Sequence, residues 1–186
     1  MYLAAVGPKN LELSGELFDG WLAIFYSPEY AKESLASIAT GRAKVGKTME
    51  GFDVVPTMPI VVGEDPHAAA DLIRWYAALY VGGMGSRDKN FYNQLAVRMG
   101  FDEAAAEIQD KYLARDYDGA AQAVPFEFID QTALLGTKER IAEKMQVLAA
   151  SGVTTLTISP FGQTQADKIA SLRIALEALE LAGVGG

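Results

Sequence analysis

The first residues that could do chemistry are Val6-Gly7-Pro8-Lys9-Asn10, which follow the short apolar run Tyr2-Leu3-Ala4-Ala5. Such a run suits a strand covered on both faces. Gly7 has no Cβ, so the backbone can turn there and a ligand can come close. Pro8 fits the first helical position, where its fixed φ helps and its missing N–H costs little. A helix starting here presents free N–H groups and a partial positive charge, an arrangement that binds phosphate, and Lys9 adds a full charge. Taken alone, the segment is also what an α/β protein without a ligand contains.

Other candidates carry less. Gly41-Arg42-Ala43-Lys44-Val45-Gly46-Lys47-Thr48 matches the phosphate-loop pattern G-x-x-x-x-G-K-T letter for letter. That loop needs a strand before it and a helix after it. Here a helical pattern starting at Pro28 precedes it, and Gly51 and Pro56 oppose a helix afterwards, so a P-loop nucleotide binder is the weakest alternative. His67 lies in the first turn after Asp65-Pro66, where a charged imidazole would oppose the helix dipole, and reads as a surface or capping residue. Arg87 and Lys89 could grip an anionic coenzyme tail or form a solvated loop. Tyr80, Phe91 and Tyr92 read as packing rather than as a platform for a ring. Asp102 with Glu103, and Glu177 with Glu180, sit on solvated faces. No Ser-His-Asp set can be assembled, and no catalytic residue is assigned.

Composition narrows the class. A chain of 186 residues, half of them apolar, can bury one sizeable core. A formal charge of −8 without a basic run argues against nucleic acid. With no cysteine and one histidine, neither disulfides nor a metal site is expected. No apolar stretch is long enough to span a bilayer. A soluble cytoplasmic protein is expected, with no membrane partner.

Four strands are expected near residues 2–6, 21–25, 54–62 and 154–159, each followed by a helix. The third is interrupted by Pro56 and Pro59, so its pairing is expected from Ile60. A helix from Pro28 is expected to end at Gly41. Between the third and fourth strands lies a helical insertion of about residues 82–135, within which 128–135 is either a short helix or irregular. Thr137 caps the next helix. The last helix carries Ile169, Leu172, Leu176 and Leu179 as its apolar side, and the first one Leu11, Leu17 and Phe18 with Ser14 and Gly15. Alternation of this kind means a parallel sheet with right-handed crossovers, either doubly wound or half of a barrel of eight.

The stretch from Tyr2 through Ala4-Ala5-Val6-Gly7-Pro8 to Asp19-Gly20-Trp21-Leu22 resembles the "(I/Y)xAAxGPxxLxLAGxxADGW" segment of luciferase-like flavin and deazaflavin oxidoreductases. The similarity continues through Val61–Pro66, Tyr80–Gly85, Lys89–Asn93, Leu135–Lys144 and Gly152–Thr157, covering nearly the whole chain. The resemblance implies a TIM-type eight-stranded β/α barrel of which residues 1–186 form a single C-terminal half-barrel domain, strands five to eight, with Met1 as a new start inside a strand. It implies that Ala4, Ala5, Val6, Gly7 and Pro8, with Lys9 and Asn10, hold the coenzyme phosphate. The nearest likeness is to members using the deazaflavin coenzyme F-420, with FMN, in a monooxygenase of the same superfamily, as the alternative. The parent enzyme would transfer hydride between the coenzyme and a small organic substrate, this chain alone retaining only the phosphate turn. A non-catalytic half-barrel that self-associates, or that pairs with an N-terminal half, is the structural alternative.

Overall fold

The structure, a computed structural model, describes residues 1–185. Its elements run β1 (Tyr2–Ala4), α1 (Pro8–Leu17), β2 (Gly20–Ile24), α2 (Pro28–Lys44), β3 (Asp53–Val62), α3 (Pro66–Asp71), α4 (Arg74–Ala78), a π-helical turn at Leu79–Gly83, α5 (Phe91–Arg98), α6 (Asp102–Leu113), α7 (Tyr117–Gln122), α8 (Phe126–Thr132), β4 (Leu134–Gly136), α9 (Lys138–Ala150), β5 (Thr157–Pro160) and α10 (Gln165–Ala182). All strand pairs are parallel: β1 on β2, β2 on β3, and both β4 and β5 on β3. The sheet therefore has five strands among the described residues, not four. The added strand, β4, closes the region expected to be helical or irregular.

β3 is the organising strand, and its prolines show how. Successive residues of a strand bond to opposite edges. Asp53 N donates to Asp19 O (3.0 Å) on the β2 side, whereas Val54 N donates to Thr154 Oγ1 (3.0 Å) on the β5 side. Odd residues of β3 thus face β2 and β4, and even residues face β5. Pro56 looks toward β5 just before that ladder opens at the Thr57–Thr157 pair. Pro59 looks toward the other edge, between the last β2 pair at Thr57 and the first β4 pair at Ile60. Neither proline removes a ladder hydrogen bond, so pairing starts at Asp53 rather than at Ile60.

Alternate strand residues Trp21, Ala23, Val54, Met58 and Ile60 form a core with α1, α2, α9 and α10. α1 and α2 cross closely. A Cβ on Gly15 would lie 2.0 Å from Ile38 O, and one on Gly41 would lie 1.8 Å from Glu12 O. Gly41 is therefore a contact point inside α2, which continues to Lys44 instead of stopping. Leu17 points outward, and Leu11, Ser14 and Gly15 make the buried stripe of α1. α10 is likewise turned from expectation. Ser171, Ala175, Ala178 and Ala182 are buried, while Ile169, Leu172 and Leu176 lie on the surface. Small side chains let this helix sit close to its neighbours, which leaves Leu172 and Leu176 outside, while Leu179 packs against the core as expected. A second core joins α3–α8 to Phe25, Val61 and Leu135. Among the described residues, no helix is long and apolar enough to cross a membrane.

Candidate functional site

A cleft of about 360 Å³ opens where β1 and β2 end and beside the middle of β3. Ala4, Ala5 and Val6 form one wall, Leu22, Ala23 and Ile24 the floor with Thr57, and Tyr76, Tyr80 and Tyr92 from the helical insertion the opposite wall. In parallel α/β sheets this strand end is where ligands sit, because helix starts converge there.

The wall formed by β1 leads into the turn singled out by sequence. Gly7 is the N-cap of α1, and its carbonyl accepts from Asn10 N and Leu11 N at 3.0 Å each. No side chain caps this helix start. Gly7 has φ −86° and ψ 153°, a conformation open to any residue, and a Cβ placed on it would meet nothing within 4 Å. Neither torsion nor packing within the chain calls for glycine here, whereas a group resting on the turn would. Ala4, Ala5 and Val6 line the cleft, and Pro8, Lys9 and Asn10 stand exposed on the first helical turn. Trp21 Nε1 donates to Ala5 O (2.8 Å) and fixes the strand end.

The structure adds Arg98, the last residue of α5. Its Nη2 donates to Val6 O (3.2 Å) and its Nε to Tyr30 Oη (2.8 Å). Nothing local marks it, since 92 residues separate Arg98 from Val6. The tyrosines both pack and line the cleft. Tyr80 meets Tyr92 edge-on at 4.9 Å, and both meet Phe25 at 5.7 and 6.5 Å. Phe25 sits at φ 50°, and this ring cluster holds it in that costly conformation. Burial raises the Tyr76 phenol well above its ordinary value, with Tyr80 adding to the effect. It stays protonated and can donate a hydrogen bond. None of the lining residues is a carboxylate, lysine, arginine or histidine, so the cleft itself offers binding surface rather than a proton acceptor for neutral pH.

The other sequence candidates lie apart. His67 is exposed and stacks on Phe126 (3.8 Å between centroids), its amide capped by Asp65 Oδ1 at 2.8 Å. Arg87 pairs with Asp110, and Lys89 is exposed. The G-x-x-x-x-G-K-T stretch is the end of α2 and a turn, with no helix following. Arg42 Nε donates to Thr48 O (2.7 Å), and its guanidinium lies over the Phe52 ring. A larger groove of about 510 Å³ between α9, α10 and β5 is apolar and contains no acid or base. Among the described residues no cluster of His, Cys, Asp or Glu could hold a metal ion.

Comparison with known proteins gives concordant matches. The family model for luciferase-like monooxygenases matches residues 1–155. The chain is 34% identical over 172 residues to a Mycobacterium tuberculosis protein assigned as a coenzyme F-420-dependent oxidoreductase, covering 91% of this chain and 50% of that protein. It is 30% identical over 168 residues to the 5,10-methylenetetrahydromethanopterin reductase of Archaeoglobus fulgidus, covering 87% of this chain and 48% of the other. In fold it is similar to the coenzyme F-420-dependent tetrahydromethanopterin reductase of Methanopyrus kandleri, with TM-score 0.75, 22% identity, and 99% of this chain against 50% of that one. The chain spans about half the length of the curated relatives it matches.

Proposed function

The chain belongs to the luciferase-like monooxygenase family, and from that premise we propose that it binds the deazaflavin coenzyme F-420 with the coenzyme phosphate on the turn formed by Ala4, Ala5, Val6, Gly7, Pro8, Lys9 and Asn10. The observation that carries this is the open space over Gly7 at an uncapped helix start, continuous with a cleft at the strand ends. Relatives named for coenzyme F-420 support the choice of deazaflavin over FMN. When bound, the ring accepts or donates a hydride. The chain's own residues bind and orient. The amides of the α1 start receive the phosphate, the small Ala4 and Ala5 let it approach, and the three tyrosines screen one side of the cleft from water. Fluorescence titration of F-420 into the purified chain should saturate. Failure of both F-420 and FMN to bind would remove the coenzyme reading.

The reaction proposed is hydride transfer between that coenzyme and a small organic substrate, by an oxidoreductase of which this chain supplies the C-terminal half of a barrel. β1 pairs only with β2, and β5 only with β3, so each has an unpaired edge among the described residues. Beside β5 lie the apolar groove and the exposed Ile169, Leu172 and Leu176. Unpaired edges next to apolar helices invite a further β/α layer, either a complementing N-terminal half or a second copy of this chain. Sedimentation that finds a monomer at high concentration argues against the second copy, and turnover by the chain alone would show that no complement is needed.

A further inference from the structure

Two strand-to-helix turns of this sheet each have an arginine on the carbonyl before the glycine, and only one of those arginines has a carboxylate partner. After β4, Gly136 and Thr137 lead into α9, and Arg140 reaches back to the strand end. Its Nη1 donates to Leu135 O (2.9 Å), and its Nη2 to both carboxylate oxygens of Asp130 (2.8 and 2.9 Å). After β1, Gly7 leads into α1, and Arg98 takes the corresponding place. In both turns a guanidinium holds the carbonyl just before the glycine. Asp130 balances Arg140, but among the described residues no carboxylate pairs with Arg98.

That imbalance is costly where it stands. Arginine keeps its charge at any working pH. Arg98 is partly buried, beside the starts of α1 and α2, whose free amides carry partial positive charge. Ser27, the N-cap of α2, adds a hydroxyl that is buried (2% exposed) and without a hydrogen-bond partner. It lines a small cavity together with Ala5, Val6 and Tyr30, large enough for about one water. The start of α2 has one acidic residue, Glu29, in its first turn, but among the described residues no carboxylate forms an ion pair with Arg98.

We propose that Arg98 is a binding residue for a phosphate-type anion seated over Gly7, so that the ligand's charge does for Arg98 what Asp130 does for Arg140. This rests on the reading of the Gly7 turn as a phosphate site, and it deepens that reading by taking the cation from the helical insertion rather than from exposed Lys9. Ligand binding would then reinforce the tie that Arg98 already makes between α5 and the end of β1.

Inorganic phosphate titrated into the full chain, followed through the backbone amide resonances of Gly7 and Lys9, tests this. Saturable shifts are expected in the parent chain. Arg98→Gln should weaken phosphate by about tenfold or more, the scale of one charge-assisted hydrogen bond. Tyr30→Phe, which removes only the Nε partner, should keep the affinity within about twofold. Should Arg98→Gln fail to fold, Arg98→Lys decides. It keeps the charge but cannot hold carbonyl and anion together, and should bind phosphate measurably more weakly. Unchanged phosphate affinity in Arg98→Gln or Arg98→Lys, or no shift in the parent chain, overturns the proposal. Parallel titration with F-420 separates the two readings. Arg98-dependent phosphate binding without F-420 binding keeps this proposal and ends the coenzyme one. F-420 binding indifferent to Arg98 does the reverse.

Discussion

The turn after β1 and the turn after β4 use the same parts to opposite ends. At the β4 turn everything is spent inside the chain. Gly136 adopts φ 101°, a Cβ there would lie 3.0 Å from Arg140 Cδ, Thr137 Oγ1 accepts from Arg140 N, and Asp130 neutralises the guanidinium. At the β1 turn the glycine is not required by torsion, the helix start is uncapped and the arginine lacks a carboxylate. The first arrangement stabilises a fold. The second leaves hydrogen-bonding capacity and charge for something outside it.

The largest effect expected from testing this contrast is in the glycines themselves. Gly136→Ala should cost about 2 kcal/mol in urea denaturation, because it forces an L-residue into the left-handed region against Arg140. Gly7→Ala should change stability by less than about 0.5 kcal/mol while weakening phosphate or coenzyme binding. Equal stability costs would erase the distinction. Next, Asp130→Asn should lose about 1 kcal/mol by removing the counter-charge of a partly exposed pair. Arg98→Gln should gain or lose less, since no ion pair is broken. A smaller contrast lies in the caps: Thr137→Ala should cost about 0.5 kcal/mol, and Ser27→Ala should be neutral or slightly stabilising, because its hydroxyl is buried without a partner.

The two regions should also differ in alkaline solution. Burial raises Tyr76 beside the cleft above the ordinary tyrosine value of 10.0, so the fold favours its neutral form. That contribution is complete below pH 10 and is lost as pH rises through the folded value. Burial lowers Lys144, whose Nζ donates to Asp130 O near the β4 turn, below the ordinary 10.5. The fold disfavours its charged form, and stability is regained as pH rises between the lowered and ordinary values. Tyr76→Phe should flatten the alkaline loss, and Lys144→Met should remove the opposing gain. Identical pH profiles for the two variants would contradict these assignments.

Legibility followed locality. The strand, glycine and proline of the first turn, the helix start at Asp65-Pro66 and the Thr137 cap are local signals, and each appears where expected. β4 escaped because Leu134-Leu135-Gly136 is too short to show a period of two. α10 carries two stripes, and periodicity cannot tell which one is buried when alanines pack closer than leucines. Gly41 looked like a stop because its reason is a neighbouring helix, invisible in one segment. The tyrosines were recognised as packing, but their second face on the cleft depends on where the insertion folds back. Arg98 reaches the site through a contact that no sequence window contains.

The central position of β3 has a consequence for how the chain acquires its shape. β1, α1, β2, α2 and β3 are consecutive and can assemble as they are made, each strand pairing with the one just before it. The other partners of β3 arrive only with residues 134–136 and 157–160, after the whole helical insertion. Until then the β5 edge of this strand and the Ile60–Val62 part of its other edge stay open. Closing those distant pairings should set the folding rate, since loop closure must precede the contacts that reward it. The vulnerable step in assembling this sheet is therefore the arrival of its last two strands, and the insertion that brings Arg98 to the candidate site is also what delays completion of the sheet.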